Sequence, residues 1–214
     1  MNAATVTAPL VAAIEAAWTA IQARHDDVPE VVVTIGSGSS PKGLTLGHFA
    51  PDRWVRGEEA VHELFVGGEG LARGGADVLG TLIHEAAHAA ARTRGIQDTS
   101  RQGRYHNKKF KAIAEEFGLT VENDSRIGWS LTTLTAATGT KYAETVAALD
   151  AAITAHRRAE AQPVNGGRKS NNNGAAAVCG CGRKIRASLT VFAEGPIICG
   201  LCGEEFEPEE ADES

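Results

Sequence analysis

The sequence predicts an α+β fold, in which a small sheet packs on helices, followed by a small cysteine-rich module. Three short runs suited to strands begin near residues 31, 44 and 61, and apolar residues at helical spacing lie on both sides of them. All four cysteines come after residue 178. A chain of 214 residues is long enough for one hydrophobic core and a small appended module.

Helices and strands can be placed in order along the chain. A first helix ending before Pro29 is predicted by apolar residues at helical spacing, namely Leu10, Val11, Ile14, Trp18 and Ile21. Strands are expected over residues 31–35, 44–49 and 61–66, because residues that suit turns separate these runs. Further helices are expected over residues 77–94, 108–117 and 141–158.

A His-Glu-x-x-His motif lies in the helix predicted over residues 77–94. Residues four apart share one face of an α-helix, so His84 and His88 can bind the same zinc ion. Glu85 lies beside the metal, where its carboxylate can take a proton from a water molecule that zinc has acidified. We therefore predict a catalytic zinc bound by His84 and His88, with Glu85 as the general base of a metallopeptidase.

The motif supplies two zinc ligands. A third must come from elsewhere in the chain, because a catalytic zinc normally has three protein ligands and one position for water. The metzincin extension of the motif would need Gly and His where this chain has Ala91 and Arg94. We predict His106 as the third ligand, at the start of the next helix and on its apolar face. Glu115 and Glu116 on that helix are the alternatives.

The cysteines form two pairs with metal-ligand spacing. Cys179 and Cys181 lie in CGCG, and Cys199 and Cys202 lie in CGLCG. Two such pairs can enclose one tetrahedral zinc, and four thiolates leave no position for water, so this zinc would be structural. Residues 183–198 between the pairs are expected to form a hairpin. The alternative is a pair of disulfides or free thiols, and the CxC spacing of the first pair departs from the commoner CxxC.

The distribution of charge and the search for targeting signals limit the classes of protein to which the chain is expected to belong. A formal net charge of -6 argues against a general nucleic-acid coat, although basic residues cluster in residues 92–111 and 157–186. The first residues do not have the pattern of a secretory signal, and no apolar run approaches the roughly 18 residues of a membrane span. Cysteines grouped for metal binding favour a reducing compartment, so we expect a cytoplasmic protein.

The order of these motifs is similar to that of a known family. The sequences LGTLIHEAAHAA and RYHNKKFKAIAEEFGL, followed by the two cysteine pairs, resemble the SprT-like (Spartan-like) zinc metalloproteases. The resemblance implies a zincin-type domain with three histidine ligands and a glutamate acid-base, and a C-terminal zinc ribbon. It also implies proteolysis of DNA-bound or DNA-crosslinked proteins. The family often has Gly after its third His, whereas Asn107 follows His106 here.

The resemblance and the composition together give a domain plan. A SprT-like zincin metalloprotease domain is expected over residues 1–160, and a flexible linker of polar and small residues over 161–177. The zinc ribbon is expected over residues 178–206, and an acidic disordered tail over 207–214.

The sequence therefore predicts a zinc-dependent endopeptidase with one catalytic and one structural zinc ion. Its substrate is expected to lie extended along an edge strand, for which residues 61–66 are the candidate. The alternative is a non-catalytic nucleic-acid-binding protein that uses the basic segments and the ribbon. A further hypothesis is that the ribbon recruits a protein partner.

Overall fold

The computed structural model describes residues 5–40, 43–100, 102–160 and 174–208. The chain divides into two compact units, residues 1–162 and 163–214. Among the helices of the described residues, none has the length and apolar character needed to cross a membrane.

The first unit mixes helices with small sheets, which agrees with the predicted α+β class. Its helices are α1 (Thr7–Gln22), α2 (Gly75–Thr93), α3 (Lys108–Glu116), α4 (Ala136–Lys141) and α5 (Ala143–Ala152), with a 3-10 helix at Gly68–Arg73. Its strands are β1 (Val31–Gly36), β2 (Ser39–Ser40), β3 (Gly43–Leu44), β4 (Gly47–Arg56), β5 (Glu59–Gly67), β6 (Thr99–Ser100), β7 (Tyr105–His106), β8 (Leu119–Asp124) and β9 (Gly128–Leu134).

The longer strands form two sheets, of three and four strands. One has the order β1-β5-β4, with β1 parallel and β4 antiparallel to β5. The other has the order β6-β7-β9-β8, and β2 pairs only with β3. Because β5 has a partner on each side, the prediction that residues 61–66 form the substrate-binding edge is wrong. The edge strand of this sheet that packs on α2 is β4.

The core of the first unit forms around α2. Apolar residues at helical spacing bury one side of α1 against it, as the sequence predicts: Leu10, Ile14, Trp18 and Ile21 are all buried. The indole N–H of Trp18 donates to the carbonyl oxygen of Pro29 at 3.0 Å, so its one polar atom is satisfied. In α2 the buried residues include five alanines, whose small side chains let neighbouring elements approach the helix closely.

The helix predicted over residues 141–158 is shorter than expected. A break at Tyr142 separates α4 from α5, and α5 ends at Ala152. The chain then crosses to the 3-10 helix, where the Arg157 N–H donates to the Gly68 carbonyl at 2.9 Å. The Arg157 guanidinium also lies 3.4 Å from the buried carboxylate of Glu69. These contacts keep residues 153–157 out of helix α5. The spacing of apolar residues in the sequence does not reveal such contacts.

The second unit is a small sheet with one short helix. It contains β10 (Ala175–Val178), β11 (Lys184–Ala187), α6 (Leu189–Glu194) and β12 (Glu207–Pro208), and its strand order is β11-β10-β12. The predicted hairpin over residues 183–198 is wrong, because β11 pairs with β10 and is followed by α6. Ser188 begins that helix, and its side chain accepts a hydrogen bond from the Val191 N–H.

Because of strand pairing, the ordered part of the second unit begins and ends at residues other than those predicted for the ribbon. Residues 175–177, assigned to the linker by composition, belong to β10, where Ala177 is fully buried opposite Ile185. Residues 207–208, assigned to the acidic tail, form β12. The remainder of the predicted linker, 161–173, and of the predicted tail, 209–214, lies outside the described residues. Backbone pairing, which composition does not report, is the reason for both shifts.

Candidate active site

The three histidines predicted as zinc ligands meet between α2 and β7. His84 and His88 lie one turn apart on α2, and β7 brings His106 to them. One ring nitrogen of each lies within 4.8 Å of those of the other two. Nε2 of His88 and Nε2 of His106 lie 3.0 Å apart.

His106 lies in β7, and not at the start of the following helix as predicted. Its N–H donates to the Ile127 carbonyl at 2.9 Å, which holds it beside β9. Asn107 is the N-cap of α3, and its side-chain oxygen accepts hydrogen bonds from the N–H groups of Lys109 and Phe110. The asparagine that follows His106 therefore has a structural role, because it starts the helix that carries Phe110.

Each of the three histidines is held through its Nδ1 atom by an oxygen. The Nδ1 contacts are His88 with Asp98 Oδ2 at 2.5 Å, His84 with Thr132 Oγ1 at 3.0 Å, and His106 with the Ile127 carbonyl oxygen at 3.3 Å. In metal sites such contacts fix the tautomer and the orientation of the ligating rings.

The tautomers of two histidines follow from these contacts. An ionised carboxylate and a carbonyl oxygen only accept hydrogen bonds, so Nδ1 of His88 and of His106 must carry a proton and donate it. In a neutral imidazole Nε2 then holds a lone pair. Nε2 of His88 and Nε2 of His106 lie 3.0 Å apart. A cation between two neutral imidazoles would accept a lone pair from each of these atoms.

Burial favours the neutral form of two of the imidazoles, those of His84 and His106. It lowers the pKa of His84 well below the usual value, and charge on His88 or His106 would lower that pKa further. Burial is also the main reason why the pKa of His106 falls to about 4, with a smaller contribution from His88. Neutral imidazole is the form that binds metal ions, so burial favours the ligand form of His84 and His106.

The donor set fits zinc. In a tetrahedral site with Zn–N bonds of about 2.0 to 2.1 Å, two ligand nitrogens lie about 3.3 Å apart. The observed separation between His88 and His106 is 3.0 Å. Three imidazoles also leave one coordination position for water or substrate.

Phe110 forms the floor of the histidine cluster. Its ring is fully buried, and its centroid lies 4.7 Å from the ring of His84, 4.4 Å from that of His88 and 4.7 Å from that of His106. This apolar floor covers one side of the three imidazoles. Access to them is therefore from the cleft that they line.

Glu85 lines the same cleft, and only 6% of its surface is exposed. Its Oε2 accepts a hydrogen bond from the Phe49 N–H of β4 at 2.8 Å. Burial raises the pKa of Glu85, although the charge of His88 and the Phe49 N–H oppose the shift. A carboxyl group with a raised pKa is suited to take up and release a proton near neutral pH.

The cleft has a volume of about 820 Å³ and runs along α2. Residues 44–49 form one wall, and residues 130–134 of β9 form another. Residues of α2 from Ala76 to Arg92 lie along it, so the histidines and Glu85 occupy its middle. The arrangement can bind a metal ion, hold an elongated ligand and move a proton at one carboxylate.

The alternative third ligands lie elsewhere. Glu115 forms an ion pair with Lys111 at 2.7 Å, and Glu116 pairs with Arg94 at 2.7 Å. Neither glutamate lines the cleft.

Functional conclusions for this chain rest on its own geometry. No protein-family model, curated protein or solved structure matches it. The features that indicate a function are the histidine cluster, the oxygens that hold its Nδ1 atoms, and the buried carboxylate in the cleft.

The four cysteines of the second unit form a separate cluster that could hold a metal ion. All four are free thiols, and their Sγ atoms lie within 4.8 Å of one another. Sγ of Cys181 lies 3.3 Å from that of Cys179 and 3.8 Å from that of Cys199. A tetrahedral zinc with Zn–S bonds of about 2.3 Å would separate two sulfurs by about 3.8 Å.

The two cysteine pairs are closed by similar turns. Gly182 and Gly203 follow the second cysteine of each pair with φ values of 79° and 75°, which favour glycine. Their N–H groups donate to the carbonyl oxygens of Cys179 and Cys199 at 2.8 Å. The turn that begins at Cys179 is one residue shorter than the turn that begins at Cys199, which accommodates the CxC spacing of the first pair. Backbone N–H groups, first that of Cys202, lower the pKa of Cys199 to about 6, so this sulfur is largely thiolate at neutral pH.

Sequence reasoning missed Asp98 and Thr132. Asp98 lies ten residues after His88 in the chain and reaches it because the chain folds back after α2, where the Ile96 N–H donates to the Ala91 carbonyl at 2.8 Å. Thr132 lies on a strand that the sequence did not predict. A search for a carboxylate partner of each candidate histidine would have suggested Asp98, but no spacing rule selects it.

Replacing Asp98 by Asn is expected to weaken metal binding at the histidine site by about 10- to 100-fold. An amide is a weaker acceptor than a carboxylate and no longer fixes the Nδ1–H tautomer of His88. The affinity can be measured by competition with a chromogenic chelator. Asp26→Asn, at an exposed position outside the cleft, is the matched control. Equal affinities for the two variants would contradict a role for Asp98 in orienting His88.

Proposed function

We propose that the chain is a zinc-dependent endopeptidase of the zincin type, with His84, His88 and His106 as ligands of the catalytic zinc. One observation carries the proposal: three histidine rings converge, with Nε2 of His88 and Nε2 of His106 3.0 Å apart, beside a cleft that also contains the buried carboxylate of Glu85. The motif order, which resembles SprT-like metalloproteases, supports the same conclusion.

Glu85 is the general base in this proposal. When bound, zinc would acidify a water molecule and polarise the carbonyl group of the peptide. Glu85 takes a proton from the attacking water and then gives it to the leaving amine. The Phe49 N–H fixes the carboxylate in place for both transfers.

The position of the histidines favours an endopeptidase. The cleft follows α2 from residue 76 to residue 92, a length of about 24 Å at about 1.5 Å per residue. This length holds about seven residues of extended peptide at about 3.3 Å each. Because His84 and His88 lie near its middle, a polypeptide can continue on both sides of the scissile bond. The edge strand β4 replaces β5 as the strand along which the substrate lies.

DNA-associated or DNA-crosslinked proteins are the substrate class implied by the resemblance, and we retain them in the proposal. A non-catalytic nucleic-acid-binding role is less well supported, because three cations of the first basic segment are already paired. Arg92 pairs with Asp52, Arg94 with Glu116, and Lys111 with Glu115. Such pairing reduces the positive charge available to phosphates.

Removal of the metal tests the proposed function. Purified protein is expected to contain two zinc ions per chain and to cleave a fluorescently labelled unfolded protein. Dialysis against a zinc chelator should abolish cleavage, and added zinc should restore it. Elemental analysis and the cleavage assay are done on the same samples. Undiminished cleavage by the metal-free protein would contradict the proposal.

A further inference from the structure

One arginine side chain in the cleft has no carboxylate partner. Among the described residues, two arginines line the cleft, Arg73 and Arg92. Arg92 forms an ion pair with Asp52 at 3.0 Å. Arg73 follows the 3-10 helix, and no carboxylate oxygen of the described residues lies within 4.0 Å of its guanidinium. The positive charge of Arg73 is therefore available to a ligand that enters the cleft.

Arg73 is held in a defined position by two hydrogen bonds. Its Nε donates to the Gly70 carbonyl at 3.2 Å, and one Nη donates to Oγ1 of Thr81 in α2 at 2.7 Å. An added Cβ at Gly70 would lie 3.5 Å from that Nη and 3.2 Å from Cδ2 of Leu46. The guanidinium thus lies close to α2 and to the cleft wall at Leu46. A guanidinium has five N–H groups, so donors remain for a ligand.

Arg73 lies close to the reacting groups. Thr81, which it contacts, precedes Glu85 by one turn of α2, and an added Cβ at Gly47 would lie 2.8 Å from Cγ2 of Thr81 and 3.3 Å from Cγ of Glu85. Four residues of a helix span about 6 Å. An extended peptide covers that distance in about two residues, at about 3.3 Å each. A substrate residue about two positions from the scissile bond therefore passes Arg73.

The surroundings of Arg73 favour a carboxylate ligand. Partial burial lowers the pKa of Arg73, which shows that its charge has lost part of its hydration. Asp77 of α2 also lines the cleft, and its negative charge raises that pKa, but it lies too far away to form an ion pair. Asp77 thus reduces the positive potential without occupying the guanidinium N–H groups. A carboxylate matches the planar geometry of these groups and can accept two of them at once.

We propose that Arg73 is a specificity-determining residue that binds an acidic side chain of the substrate. That side chain lies about two residues from the scissile bond, toward the N-terminal end of α2. The inference rests on the proposed peptidase function and names a preferred substrate class: polypeptide segments with Asp or Glu at this position. Lysine at the same position would be repelled by Arg73.

The experiment uses an unstructured parent peptide that extends beyond the cleft on both sides and is capped at both ends, so that only side chains carry charge. In a series of variants, one residue at a time is replaced by Glu, Gln or Lys. The values of kcat/KM are measured with wild type, Arg73→Glu and Asp77→Asn. Arg158→Gln, at an exposed position outside the cleft, is the matched control.

Wild type is expected to have a kcat/KM about five-fold higher for Glu than for Gln at one position, about two residues from the scissile bond. Arg73→Glu should reverse the preference, so that Lys is favoured there. Asp77→Asn, which leaves the contacts of Arg73 in place, should increase the preference for Glu. Each ratio compares peptides on one protein, so a loss of stability alone does not change it.

Binding is measured separately from cleavage. Affinities for the same peptides are determined by fluorescence anisotropy with the full-length Glu85→Gln protein and with the protein that carries both Glu85→Gln and Arg73→Glu. The first should bind the Glu peptide more tightly than the Lys peptide, and the second should show the opposite order.

The outcomes separate the role of Arg73 from the peptidase function. Equal kcat/KM for Glu and Gln at every position, or a Glu preference that Arg73→Glu leaves unchanged, overturns the role of Arg73. Because the peptides are cleaved in those cases, the peptidase function stands. If the affinities show the preference and its reversal but wild type cleaves none of the peptides, the proposed catalytic function fails while the acidic preference stands. Absence of both binding and cleavage overturns both.

Discussion

Replacing Glu85 by Gln is expected to lower kcat/KM for peptide cleavage by about 10²- to 10⁴-fold. The amide has nearly the shape of the carboxylate and can still accept the hydrogen bond from the Phe49 N–H. It cannot take a proton from water or return one to the leaving amine. The zinc content should stay at the wild-type value, because the predicted ligands are His84, His88 and His106.

The measurement combines steady-state cleavage kinetics with zinc analysis of the same preparations. Glu58→Gln is the matched control, since Glu58 is exposed and lies outside the cleft. Thermal unfolding of the Glu85→Gln protein should show no loss of stability, because a neutral amide is easier to bury than a charged carboxylate. Wild-type kcat/KM in the Glu85→Gln protein would show that another group is the base.

Replacing Cys199 by Ser is expected to unfold the second unit and to leave the first unit folded. Four residues form the buried apolar cluster of the second unit, and two of them are cysteines of the metal cluster: Ala177, Cys179, Cys199 and Phe206. So small a core cannot by itself offset the loss of chain entropy on folding. In zinc-finger peptides the metal contributes an apparent free energy of about 10 to 16 kcal/mol. Loss of one thiolate removes much of that contribution.

Amide hydrogen exchange resolved by peptide is the appropriate measurement. Residues 174–208 should lose protection in the Cys199→Ser protein, and the zinc content should fall from two ions per chain to one. Ala193→Ser, which places a hydroxyl on an exposed position of α6, is the matched control. Protection of residues 174–208 equal to that of wild type would be inconsistent with a zinc-dependent fold of this unit.

Elements with a strong local signal were predicted closely from the sequence. α2 spans Gly75–Thr93 where residues 77–94 were expected, and β5 spans Glu59–Gly67 where residues 61–66 were expected. In each case one side of a single helix or strand is buried. The spacing of its apolar residues therefore predicts the element without information about the rest of the fold. The sequence analysis did not predict β8 or β9. β8 is a short run with two alternating apolar residues, Leu119 and Val121, and polar residues separate the few apolar residues of β9.

The candidate site also combines features that the sequence predicted with features that it did not predict. The helical spacing of His84 and His88, with Glu85 beside them, is a local property and was available from the sequence. Of the three residues considered as third ligand, the structure brings His106, and not Glu115 or Glu116, to the other two histidines. Its placement on the following helix was wrong, because a two-residue strand paired with β9 holds it instead. Pairing between distant strands has no signature in local spacing.

The sequence by itself determined the chemical types at the two candidate sites: three imidazoles with one carboxylate beside them, and four cysteine sulfurs. It also determined the helix that presents two of the imidazoles, because helical geometry relates residues four apart without reference to the rest of the chain. Only the tertiary structure decided which oxygens hold the histidine Nδ1 atoms, which strand is an edge, and that residues of β9 line the cleft. These features depend on contacts between residues far apart in the chain, such as Thr132 with His84 and Phe49 with Glu85. Folding of the whole core brings such residues together, and no local pattern encodes the pairing.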